Sequence, residues 1–217
     1  MPSDANPLMQ KAYRPIPGWS LLLFPAACAI LAPLIAWSLP NREMLTILAA
    51  FFVIGLLAAV VAVAPLGRAA LPALGLRPAN WKYLVFGPLA TLALSVAVSQ
   101  LGIEPQGMKQ VLEFVPRQLV FSLLVLAVLA PLVEELAFRG LIYGWIAGRW
   151  NAMAGVIVSS LAFAAAHFEP AHVVLVLPLG LLFGWMRMRT DSLLPSLVAH
   201  ILNNGFALLA AVYVPGA

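Results

Sequence analysis

Charge is what this chain of 217 residues has least of. Asp, Glu, Lys and Arg make up 9% of it, against about 25% in a soluble domain. That deficit excludes an ordinary water-facing surface. Cysteine is almost missing as well. Cys28 stands alone in an apolar run, so no internal disulfide can form and redox chemistry is not expected. The net charge is +4, but the basic residues are scattered between apolar runs and make no patch. Nucleic acid is therefore not an expected partner. Internal repeats and low-complexity tracts are absent. No cleavable signal peptide is expected: the first apolar run starts late, lacks a small-x-small cleavage site, and is followed almost at once by a second.

What is present is apolar. Hydrophobic residues are 63% of the sequence and the mean hydropathy is +1.00, which points to an all-α polytopic membrane protein with the lipid bilayer as its surroundings. Residues 1–217 read as a single integral membrane domain. The apolar runs predict seven spans, at roughly 19–39, 44–64, 83–101, 117–150, 151–167, 172–186 and 193–213. The polar, proline-rich residues 1–18 precede them, and Pro40-Asn41-Arg42-Glu43 is a tight turn. A loop carrying Arg68, Arg77 and Lys82 separates the second and third spans. The stretch Gly102–Pro116 is too polar to cross. In it Met108, Val111, Leu112 and Val115 share one helical face, which fits a short helix lying in the interface or an ordinary amphipathic loop.

Basic residues collect on one side of this arrangement. That side holds Lys11, Arg14, Arg68, Arg77, Lys82, Arg139, Arg149, Arg187 and Arg189; the other holds Arg42, Lys109 and Arg117. The positive-inside rule then predicts a cytoplasmic N-terminus and an outside C-terminus in the cytoplasmic (inner) membrane.

The stretch Leu119–Val133 carries no charge, and two glutamates and an arginine follow it directly. A charge at bilayer depth costs at least ~2.5–3.5 kcal/mol, so such groups mark function by default. Glu135 and Arg139 are four residues apart and can pair on one face. Glu134 is rotated about 100° from Glu135 and is left for other partners. Gly140, Gly144 and Gly148 form a small-residue stripe that admits a neighbouring helix.

The later apolar runs contain His167, His172, His200, Asn203 and Asn204. If the fourth and fifth spans turn at Trp150-Asn151, Glu134 and His167 lie equally far from the turn and come to one depth. His200 and Asn204 project from one face of the last span, with Asn203 partly aside. A carboxylate beside a histidine can hold a water and take its proton. A second histidine and an amide can donate to the oxyanion formed when that water attacks a carbonyl. Glu134, His167 and His200 are also a zinc ligand set with an open position for water, and the spacing does not choose between metal and direct glutamate activation. Singly, each has a plainer role: an interhelical ion pair, a helix-end histidine, hydrogen-bond glue between helices. Phe163 reads as packing and His172 as an interface residue.

Glu134-Glu135-x-x-x-Arg139, Phe163-x-x-x-His167 and His200-x-x-x-Asn204 resemble, in order, the three motifs of the CPBP intramembrane proteases. These include CAAX prenyl endoproteases and bacteriocin-processing or immunity (Abi) proteins. The resemblance covers about residues 70–213, expected to be the protease core. It implies that Glu134 activates water with His167, that His200 and Asn204 line the oxyanion site, and that Glu135 with Arg139 supports them. It implies a membrane-embedded or lipidated protein or peptide as substrate. The family has been described both as metalloproteases and as glutamate proteases. Because spacing establishes no third strong ligand, the glutamate mechanism without a required cofactor is preferred, with zinc as its alternative. A non-catalytic peptide-binding immunity protein and a small proton-coupled transporter are the rival functions. Against the transporter stands the lack of inverted repeats.

Overall fold

The computed structural model describes residues 16–38 and 44–214. The polar segment before Ile16, with Lys11 and Arg14, and the turn Pro40-Asn41-Arg42-Glu43 lie outside the described residues. Those residues are helical throughout their ordered elements: α1 (Gly18–Ser38), α2 (Met44–Val63), the short α3 (Ala70–Leu74), α4 (Trp81–Ser99) and α5 (Gln106–Phe114). They are followed by the long α6 (Leu119–Arg149), α7 (Ala152–Ala165), α8 (Pro170–Thr190) and α9 (Leu194–Tyr213).

Among the described residues, five helical stretches are long and apolar enough to cross a membrane: Met44–Leu74, α4, α6, α8 and α9. Helix α7 is apolar but has only 14 residues, a rise of about 21 Å at 1.5 Å per residue, less than a ~30 Å hydrocarbon core. The loop expected after the second span is mostly helical instead. The chain runs from α2 through a tighter turn, Ala64–Ala69, into α3, because the break is confined to Gly67, whose φ of 54° a glycine alone adopts without strain.

Helix α6 is the axis of the bundle. It packs against α2, α7 and α9, and touches α1, α3 and α8. Two of its stretches, Leu123–Leu129 and Leu136–Ile142, are π-helical, one on each side of the glutamates. Pro131 lies between them, at the start of a regular turn, without ending the helix. Small residues bring the neighbours close. A Cβ on Gly140 would stand 2.8 Å from Leu74 Cδ2, in a core that includes Leu136, Leu141 and Leu193. Gly140→Ala should therefore cost about 1–3 kcal/mol through overpacking, read as an earlier unfolding midpoint in detergent micelles.

Residues Gln106–Phe114 form a helix, not an irregular loop. Leu112 and the following Val115 pack on Ala127 and Leu208, while Lys109, Gln110 and Glu113 are exposed. Its N-terminus is capped from a distance: the Glu169 carboxylate accepts from the Gln106 and Gly107 amides at 2.6 and 3.2 Å. Glu169→Ala should remove about 1 kcal/mol of local stability, the usual worth of a cap. Faster amide exchange confined to 106–114 is the expected readout.

Candidate active site

The polar centre is assembled from α6, α7, α8 and α9. On α6 the four-residue spacing puts Arg139 Nη1 2.9 Å from Glu135 Oε1, both side chains having no exposure. Arg139 Nη2 donates to the Gly180 carbonyl of α8 at 2.9 Å, and Ser160 Oγ of α7 donates to the same oxygen at 2.8 Å. The guanidinium lies over the Phe163 ring, 4.5 Å from its centroid, and 5.3 Å from that of Phe183. A buried cation is tolerable only when paired and bonded in this way.

His200 enters from α9. Its Nδ1 is 3.2 Å from Glu135 Oε1 and its Nε2 is 3.5 Å from Glu134 Oε2. The imidazole thus bridges the two adjacent carboxylates. Its plane is set by Phe183, stacked at 4.8 Å and 26°, and by Phe163, edge-on at 5.7 Å. Glu134 keeps 23% of its side chain exposed while Glu135 keeps none. One carboxylate is locked into the packing and the other is accessible.

His167 follows α7. Its Nδ1 is 2.9 Å from the Phe163 carbonyl oxygen, and its ring meets Phe163 at 5.0 Å. Phe163 therefore touches both histidine rings, and among the described residues no hydrogen bond or ion pair joins His167 to Glu134. His172, expected at an interface, packs against the His167 ring at 4.4 Å. On α9, Asn204 Nδ2 donates to the Leu126 carbonyl of the first π-helical stretch at 3.1 Å. Asn203 is the more buried of the two amides, and its Oδ1 has no hydrogen-bond partner.

Among the described residues, no three His, Cys, Asp or Glu side chains are placed together as a metal-ligand set, Glu134, His167 and His200 included, while the Nδ1 of His167 faces the Phe163 carbonyl and its Nε2 is the nitrogen that this contact leaves open.

Phe183, Gly180, Ser160 and Glu169 were not signalled by sequence. Each acts through a helix-to-helix contact, and the only trace of them was small residues and a glutamate before Pro170. Phe163 was expected to pack, and it is buried against both histidines and Arg139. Phe163→Ala should cost about 3–5 kcal/mol, as aromatic truncation in a core does, measured as a lowered unfolding midpoint in detergent micelles.

Comparison with known proteins falls on the same stretch. Residues 116–206 match the family described as type II CAAX prenyl endopeptidase Rce1-like. A putative membrane peptidase, YdiL, of Bacillus subtilis is 26% identical over 104 residues, 48% of this chain and 41% of that one. The membrane-embedded CAAX protease MroQ of Staphylococcus aureus is 26% identical over 137 residues, 58% of this chain and 54% of its own. An uncharacterized 24.3 kDa protein of Escherichia coli is 32% identical over 95 residues, 42% of this chain and 44% of that one. The chain spans about half the length of the curated relatives it matches. No solved structure matches it. The matched segment contains all three motifs and, among the described residues, five helices reach membrane-spanning length, so this chain is an integral membrane protein whose residues 116–206 are similar to type II CAAX prenyl endopeptidases and to relatives named as membrane peptidases.

Proposed function

We propose that the chain is an intramembrane endopeptidase in which Glu134 takes a proton from water and that water attacks a peptide carbonyl. The observation that carries this reading is the bridge Glu134–His200–Glu135–Arg139. A neutral His200 whose Nδ1–H donates to Glu135 presents a bare Nε2 to Glu134 Oε2. A proton taken up by Glu134 can then be shared with Nε2, whose N–H hydrogen-bonds the developing oxyanion without giving the proton up. Collapse of the tetrahedral adduct re-forms the carbonyl, breaks the C–N bond and passes that same proton to the leaving amine.

His167 belongs to the same chemistry in this reading, its Nε2 being the nitrogen not held by the Phe163 carbonyl. Asn204 completes the oxyanion side by exchanging the Leu126 carbonyl for substrate. Glu135 and Arg139 hold the His200 ring. No step needs zinc. The protease core is residues 70–213, and 1–217 form one membrane domain in the inner membrane. The N-terminus is cytoplasmic and the C-terminus outside, since setting aside the buried Arg139 and Arg187 leaves the charge asymmetry in the same direction. The substrate is a membrane-associated protein or peptide, consistent with the relatives named as membrane peptidases.

The test compares wild type with Glu134→Gln in the producing cell and reads the membrane proteome for chains that change length. Glutamine keeps the shape and cannot take the proton. Precursors that accumulate only in the variant support the reading and identify the substrate class. Unchanged lengths together with a retained peptide-resistance phenotype would replace hydrolysis with binding.

A further inference from the structure

We infer that Arg187 is a positioning residue for the peptidase centre, holding the backbone of Arg139 in register with the helix that carries His200. The inference rests on the endopeptidase reading above but has a readout of its own. Arg187 is the second arginine in the bundle with no exposure, at the far end of α8 from His172. Its Nε donates to the Arg139 carbonyl at 3.3 Å and its Nη1 to Asp191 Oδ1 at 2.8 Å. The guanidinium lies 4.9 Å from the centroid of Tyr143, one turn further along α6.

The place of contact matters. Arg139 lies in the π-helical stretch Leu136–Ile142, where carbonyls are displaced from the regular ladder. Arg187 grips the main chain of the residue whose own side chain grips Glu135. At its other end it is joined to the start of α9. Asp191 also pairs with Arg77, Ser192 Oγ donates to the Arg77 carbonyl at 2.6 Å, and Leu193 N donates to the Gly75 carbonyl at 2.8 Å. Gly75 leaves room for this, because a Cβ there would fall 2.6 Å from Arg187 Cζ. One buried guanidinium thus ties α6 to the end of α8 and to Asp191 in the turn that leads into α9, the helix that carries His200. Only a planar fork serves both directions at once. Lysine has three N–H donors on one nitrogen at the end of its stem, so it lacks the separate Nε and Nη1 positions that meet the carbonyl and Asp191.

The test uses the full chain purified in detergent, as wild type, Arg187→Lys, Asp191→Asn and Glu134→Gln. An internally quenched peptide of apolar residues is the hydrolysis probe, and amide hydrogen exchange is followed in parallel. A misplacement near 1 Å costs up to about 10²-fold in rate, so Arg187→Lys should lower kcat by ten- to a hundredfold, with KM within about twofold of wild type. Exchange across 136–149 should quicken about tenfold while α4 is unchanged, a local rather than global opening. Asp191→Asn keeps the bond to the Arg139 carbonyl and should lose less. Wild-type kcat in Arg187→Lys overturns the inference. So does exchange that rises equally in α4, which would make Arg187 a general stability residue. If wild type and Glu134→Gln are alike on the probe, the peptidase reading is what fails on that substrate, and the exchange pattern alone still decides whether Arg187 holds this segment.

Discussion

Glu135→Ala should destabilise the protein by about 3–5 kcal/mol, the cost of stripping one partner from a buried ion pair, whereas Glu134→Gln should change stability little. The two carboxylates are neighbours in sequence and differ completely in surroundings. Glu135 is wholly enclosed, bonded to Arg139 and facing His200 Nδ1. Without it Arg139 keeps the Gly180 carbonyl and the Phe163 face but no opposite charge at contact distance. Glu134 is partly exposed and only borders His200. Unfolding in mixed micelles separates the cases. The double variant Glu135→Met with Arg139→Met should recover most of the loss, because an apolar pair has no uncompensated charge. Equal destabilisation by Glu134→Gln and Glu135→Ala would mean that the locked and accessible roles are misassigned.

Hydrolysis should fall by about 10²–10⁴-fold in Glu134→Gln, the usual weight of general acid–base catalysis. His200→Ala should fall by a similar factor. The informative variant is the double one. If a proton is shared between Glu134 and Nε2 of His200, removing both costs about as much as the worse single change, as in other residues that act as a unit. Single-turnover rates on the quenched peptide measure this. Multiplicative losses would sink the shared-proton arrangement and leave His200 with a purely structural bridge. His200 is stacked on Phe183, so the alanine variant must be compared at matched folded fraction.

Much of this was written locally. Apolar length and the scarcity of charge required membrane helices, and each apolar run is a helix in the fold. Four-residue spacing was enough to pair Glu135 with Arg139, since both lie on one face whatever the rest of the chain does. The apolar face of 108–115 fitted a helix or an amphipathic loop alike, and the fold makes it the helix α5. What crosses between helices was not legible. Equal distance from a turn gives an expectation of one depth for Glu134 and His167, but rotation about each axis decides contact. The π-helical stretches on both sides of the glutamates alter that rotation, since each inserted residue turns the face by about 100°. It is His200 that meets Glu134. Asn203, not Asn204, carries the buried amide oxygen without a partner.

The sequence alone therefore determined the medium, the helices and the pairing within a helix, because composition and a 3.6-residue period act over one or two turns. The tertiary structure decided which imidazole faces which carboxylate, that Glu169 caps a helix 63 residues before it, and that Arg187 reaches the Arg139 carbonyl. Those outcomes depend on helix rotation and close approach. Side-chain contacts at single small residues set both, and no local period encodes them.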